Sequence, residues 1–221
     1  MKILNYQYKS EASLKEFIEE NNIENLDKIF IQIFYSKIDD TSKIIDLKNF
    51  LNQLLPNSSI MGTSTAGVIN NNTTNENCIQ ISFSIFEKST TKINSYNITD
   101  AKEIISDIKK SILQNNTKLL VIFANTFKIN SNEIINLINS ELTNVVVCGG
   151  NSGDDFNFTS GLVFTNKNDD ATIAIASINS DYLNVATNYL LNWQTIGKNM
   201  TITKSHENII YEINNQSAVN I

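Results

Sequence analysis

One structural module is written twice along this chain, and that repetition limits the possible folds more than any other property. The first copy reads as a strand over 28–35, a helix over 40–55, a short strand over 59–62, a glycine-bearing loop over 63–67 and a strand over 78–86. The second reads as a strand over 119–124, a helix over 130–142, a short strand over 144–149, a loop over 150–155 and strands over 161–165 and 172–178. Strands joined by a helix pair in parallel, whereas strands joined by a short turn pair antiparallel. The expected fold class is therefore α/β (mixed α+β), with mixed sheets and packed helices. We expect one domain over 1–221, made of half-repeats at about 26–98 and 117–180 and a C-terminal β segment at 182–215. It is expected to be the N-terminal part of a longer chain. Duplicated units commonly pair about a pseudo-two-fold axis, so their equivalent loops are expected to face a shared cavity.

Local signals fill in the elements. Leu14, Phe17 and Ile18 make an apolar stripe that Ser10 or Ser13 can cap, predicting a helix over 10–21. Asp39 and Asp40 open a helix with Ile44, Leu47, Leu51 and Leu54 on one face, and Pro56, the only proline, ends it. An Asn/Thr loop follows at 70–77. Ile79, Ile81, Phe83 and Ile85 alternate with polar residues as in a half-buried strand, and another strand is expected over 91–96. Asp100 with Glu103 begins a helix bearing Ile104, Ile105, Ile108 and Ile112, and Asn130 with Glu133 begins one bearing Ile134, Leu137 and Ile138. The continuous apolar run at 119–123 suggests a central strand covered on both faces. Further strands are expected at 184–191, 200–203 and 209–213, and a helix begins within 216–221.

Composition removes several functional classes. The net charge of −6 argues against nucleic acid as a partner. All 17 basic side chains are lysines, so no guanidinium fork can clamp a carboxylate or phosphate. Cys78 and Cys148 lie in apolar strand-like runs and are expected as buried thiols, bridged only if their strands are neighbours. No signal peptide and no membrane-crossing run is seen, so a cytoplasmic location without membrane contact is expected.

The residues most able to carry chemistry sit at the ends of the two short strands. The first group is Gly62, Thr63, Ser64 and Thr65; the second is Gly149, Gly150, Asn151, Ser152, Asp154 and Asp155. Glycine lets backbone N–H groups turn toward a ligand, hydroxyls supply donors and acceptors, and either aspartate could hold an ammonium. The plain alternative is that the glycines only form tight turns. Tyr35 ends its strand where side chains often line a cleft. Phe156 and Phe158 could cover the second loop, and Trp193 is either core or a pocket wall. Ser64, Asp154 and His206 occur in the order of one serine-hydrolase class, but Ala66 replaces the last glycine of a nucleophile elbow and no helix follows. His206, the only histidine, reads as a turn residue; as an alternative it could be an axial haem ligand. The cysteines and the lone histidine cannot form a structural zinc site, and neither a phosphate-binding loop nor a dinucleotide fingerprint is present.

The order of these motifs resembles the FIST sensory domain family. The matching segments are G-T-S-T-A-G-V-I at 62–69, C-G-G-N-S-G-D-D-F at 148–156, G-L-V-F at 161–164, N-W-Q-T-I-G at 192–197, I-T-K at 202–204 and N-I-I-Y-E-I-N-N-Q-S-A at 208–218. The chain departs from the family where Trp193 lacks a flanking proline. The resemblance implies a bacterial signal-transduction input domain without catalytic turnover. It implies a small ligand, such as an amino acid or derivative, and an output domain in the same chain or a partner kinase or cyclase. Haem-based nitric-oxide sensing is the alternative the family also implies, with His206 as the available ligand. Placed on these residues, an amino-acid carboxylate would meet glycine-loop N–H groups with Thr63 and Ser64, and its ammonium would meet Asp154 or Asp155.

Overall fold

The structure, a computed structural model, describes residues 1–36, 40–70, 72–154, 160–188, 194–206 and 209–220. It divides into two compact units, Met1–Ala186 and Thr187–Ile221, where one domain was expected. The first unit runs β1 (Lys2–Gln7), α1 (Glu11–Glu20), β2 (Ile29–Tyr35), α2 (Ser42–Leu54), β3 (Ser59–Ser64), β4 (Val68–Asn70), β5 (Thr73–Asn75) and β6 (Ile79–Ile85). It continues through β7 (Thr90–Tyr96), α3 (Ala101–Ser111), β8 (Thr117–Ala124), α4 (Ser131–Glu141), β9 (Val146–Asn151), β10 (Val163–Thr165) and β11 (Ile173–Asn179). The mixed α/β class is as the sequence predicts.

Strand order exposes the internal correspondence. One sheet is ordered β1-β6-β2-β3-β10 and the other β7-β11-β8-β9. In the first, β2 and β3 are parallel and β6 returns antiparallel beside β2, with β1 outside it. In the second, β8 and β9 are parallel and β11 returns antiparallel beside β8, with β7 outside it. The corresponding units thus begin at β1 and β7. The sequence grouped β7 with the first copy, but its hydrogen bonds lie in the second sheet. β1 was not anticipated, although Ile3, Leu4 and Tyr6 carry an apolar signal there. β10 leaves the second sheet to lie antiparallel against β3.

The sheets stack face to face between two helical layers. Ile29, Ile31 and Ile33 of β2 pack with Leu14 and Ile18 of α1 and Ile44, Leu47 and Leu51 of α2. Ile173 and Ile175 of β11 pack with Ile104 and Ile108 of α3 and Ile134 and Ile138 of α4. The alternate residues form the seam between sheets: Phe30, Met61 and Val163 from one, Val121, Phe123, Ala174 and Ala176 from the other. Period-two alternation sends successive side chains to opposite faces, and central strands are apolar on both because both faces are covered. Phe34 meets Phe123 edge-on with ring centroids 5.4 Å apart. No helix among the described residues is long and apolar enough to cross a membrane.

The second unit contains β12 (Ile202–His206), β13 (Ile209–Ile213) and β14 (Gln216–Ser217), paired in that order, and a short 3-10 turn at Ala218–Asn220. No strand forms over 184–188, and the rest of the 184–191 segment lies outside the described residues. His206 closes β12 opposite Ile209 rather than occupying a turn, and all of β12 is exposed.

Candidate functional site

Gly62, Thr63 and Ser64 are not loop residues: β3 continues through them, held by β2 on one side and β10 on the other. Gly149, Gly150 and Asn151 likewise belong to β9. Glycine is needed at 62 because a Cβ there would stand 2.2 Å from Cζ of Phe164 and 2.7 Å from the Ile33 carbonyl oxygen. At 149 the backbone has φ +142° and a Cβ would lie 1.8 Å from the Ile122 carbonyl oxygen. The register makes these two positions equivalent, since Gly62 pairs with Ile33 of β2 and Gly149 with Ile122 of β8. Their glycines serve close backbone approach within the sheets.

Beyond the strand ends the two segments meet. The Gly153 amide donates to the Ser64 carbonyl at 2.9 Å. Gly153 also lies so close that a Cβ on it would be 3.2 Å from the Ala66 nitrogen and 3.4 Å from Thr65 Cα. Each corner is tied back to its own unit: the Thr65 amide donates to the Tyr35 carbonyl and the Ser152 amide to the Ala124 carbonyl, both at 2.8 Å. The carboxyl ends of β3 and β9 therefore converge on one corner rather than on opposite sides of the unit.

These bonds change which groups can serve a ligand. The Ser64 amide donates to the Leu162 carbonyl at 3.0 Å, so the amides of Ser64, Thr65, Ser152 and Gly153 are all committed within the protein. These four N–H groups, Gly153 the only glycine among them, are not free to receive a carboxylate. The Ser64 hydroxyl is buried and accepts the Leu162 amide at 2.9 Å. Burial pushes the Tyr35 phenol up to about 12, the Ser64 hydroxyl opposing this and the Asp170 carboxylate adding to it. Tyr35 is a packed member of the helix-side core, not a cleft wall. Thr63 is buried and its hydroxyl donates to the Ser64 carbonyl at 3.2 Å, while the Thr65 hydroxyl donates to the Gly67 carbonyl at 3.0 Å.

Ser152 differs from these. It is 6% exposed, and its hydroxyl has no hydrogen-bond partner among the described residues. Gly161 makes room for it, because a Cβ at 161 would stand 2.2 Å from the Ser152 oxygen. Asn125, also buried, closes the neighbourhood: its side-chain amide donates to the Gly161 carbonyl at 2.7 Å and its oxygen accepts the Phe127 amide at 3.1 Å. The Thr126 hydroxyl donates to the Ser152 carbonyl at 3.2 Å. Asp154 is half-buried and accepts the Ser160 amide at 3.0 Å.

The sequence missed Asn125 and Gly161 as site residues. Their signal was available: Asn125 is the first polar residue after a wholly apolar strand, and Gly161 follows the second corner closely. Asp155, Phe156, Phe158 and Trp193 lie outside the described residues. Cys148, expected as buried, is exposed because β9 is an edge strand; Cys78 is buried, and both are free thiols. His206 is in the second unit on an exposed strand. No cluster of three or more potential metal-ligating side chains occurs among the described residues.

The sequence model of one family, described as the FIST N domain, matches residues 29–216. No curated protein and no solved structure matches the chain.

Proposed function

Because this chain belongs to the FIST N domain family, a sensory domain family of signal transduction proteins, we propose that it is an input module that binds a small polar molecule at the corner joining β3 and β9. The observation carrying this reading is the buried hydroxyl of Ser152, which has no partner among the described residues and lies one residue before the Gly153–Ser64 bond. A buried hydroxyl without a partner costs stability, and a ligand oxygen or nitrogen that meets it recovers that cost on binding. Beside it stand Gly161 and Asn125, and half-buried Asp154, two residues on, carries a negative charge that an ammonium would meet. With no arginine in the chain and four corner amides committed, recognition falls to hydroxyls and carboxylates. An amino acid or amine derivative engaged through its cationic end fits that set better than one held through its carboxylate.

The signal would be differential binding. The two corners belong to different sheets, so a guest that favours one mutual orientation shifts the population toward it. A neighbouring output domain, or a partner kinase or cyclase in the cytoplasm, would read that shift. The hydrolase alternative asks Ser64 to be a nucleophile, yet its hydroxyl is buried and engaged by the Leu162 amide. The haem alternative rests on His206, and the exposure of β12 gives it no support.

The test is a thermal-shift screen against amino acids and their amine derivatives, repeated on Ser152→Ala. The expected result is a ligand-dependent rise in Tm for the original chain that Ser152→Ala loses, while ligand-free Ser152→Ala melts at or slightly above the original temperature. A ligand shift that survives Ser152→Ala undiminished moves the site elsewhere.

A further inference from the structure

The outer edge of β9 has no strand beside it among the described residues, and Cys148, Gly149, Gly150 and Asn151 are exposed along it. The corresponding edge in the other sheet is filled. There β10 lies antiparallel to β3, with Phe164 opposite Gly62 and its ring across that glycine. The same strand order thus displays what suits such an edge: an antiparallel strand that sets a large side chain against a glycine. Gly150 awaits such a neighbour, since a Cβ built on it meets nothing within 4 Å. Proteins usually blunt a bare edge with lysine, proline or a bulge. The β9 sequence V-V-C-G-G-N carries no charge and no proline, and it pairs with β8 without a break in register.

We propose that β9 pairs antiparallel with β9 of a second copy of this chain, with Cys148 on the two-fold axis. The occupant follows from the strand's own residues. A two-fold axis perpendicular to the sheet keeps α4 on the same face in both copies, so only residues facing the same way stand opposite one another. Centring on Cys148 sets Val146 against Gly150, where the valine fills the open space beside that glycine. Centring on Val147 or on Gly149 loses that match. The strand contains both halves of the large–small pairing that Phe164 and Gly62 make in the other sheet. Helix α4 adds a second contact. Its Glu141 is bonded to Lys109 of α3 at 2.6 Å, whereas Ile135, 45% exposed, projects from another flank. At about 100° per residue these two positions lie some 120° apart, which turns Ile135 away from α3 and toward the β9 edge. Pairing of the strands brings the two α4 helices side by side and covers Ile135.

The register makes a covalent prediction. Opposed residues in an antiparallel pair have Cα atoms roughly 4.5–5.5 Å apart, within the span of a disulfide. The experiment is mild oxidation of the full chain, with mass measured by light scattering before and after. The expected result is a dimer that oxidation locks through Cys148 alone, with Cys78 still reduced. Cys148→Lys, which places two ammonium groups face to face at an exposed position, is expected to give a monomer that melts where the original chain does at dilutions at which that chain is monomeric too. Amide hydrogen exchange across β9 supplies a readout independent of any substitution, with protection that rises with protein concentration. A monomer at high concentration, cross-linking through Cys78, or a dimer indifferent to Cys148→Lys overturns the proposal.

Discussion

Two glycines respond differently to the same added methyl group. Gly62→Ala drives a Cβ into the Phe164 ring and the Ile33 carbonyl, and overpacking of this kind costs about 1–3 kcal/mol. Gly67→Ala places its Cβ 3.6 Å from Thr74 Cγ2, an ordinary contact, and is expected to change stability by less than about 0.5 kcal/mol. Urea unfolding of the two variants measures the difference. Tyr35 gives a pH prediction. Its folded phenol titrates at about 12, above the roughly 10 of an unfolded tyrosine. A raised pKa stabilises fully below the unfolded value and is lost as pH rises through the folded one, so the chain should weaken between these two values. Tyr35→Phe should flatten that alkaline slope. Unfolding curves collected across alkaline pH show whether the slope belongs to this residue.

Helix starts were legible because their chemistry is local. Ser10, Asp100 and Asn130 each accept an amide of the following turn, as their positions before apolar periodic runs foretold. Asp100 accepts the amides of Lys102 at 2.9 Å and Glu103 at 3.1 Å, so Asp100→Ala is expected to cost about 1 kcal/mol, read from the melting temperature. The strand ends were not legible. Glycine next to threonine and serine reads as a turn, yet β3 and β9 run on through theirs because Phe164 and the carbonyls of Ile33 and Ile122 occupy the space a side chain would need. Those partners lie far away in sequence, and no local pattern reports them. The exposure of Cys148 was hidden for a related reason: V-V-V-C is equally apolar at an edge and at a centre, and only strand order distinguishes the two.

In the first unit, two sheets of the same strand order face each other across a seam of phenylalanine, valine and alanine, with helices outside. The meeting of the two corners was expected from the repetition, and the Gly153–Ser64 bond joins them. What the sequence could not convey was the spending of the corner amides, which is settled only when Leu162, Tyr35 and Ala124 arrive from elsewhere in the chain. β10 adds a topological constraint: its neighbours in the chain, β9 and β11, belong to one sheet, while its hydrogen bonds belong to the other. Either half cut free would be left with a torn margin, missing a strand or carrying one with nowhere to lie. A lineage that keeps this architecture must therefore inherit both halves on one polypeptide, and neither can be shuffled out, replaced or allowed to decay without undoing its twin.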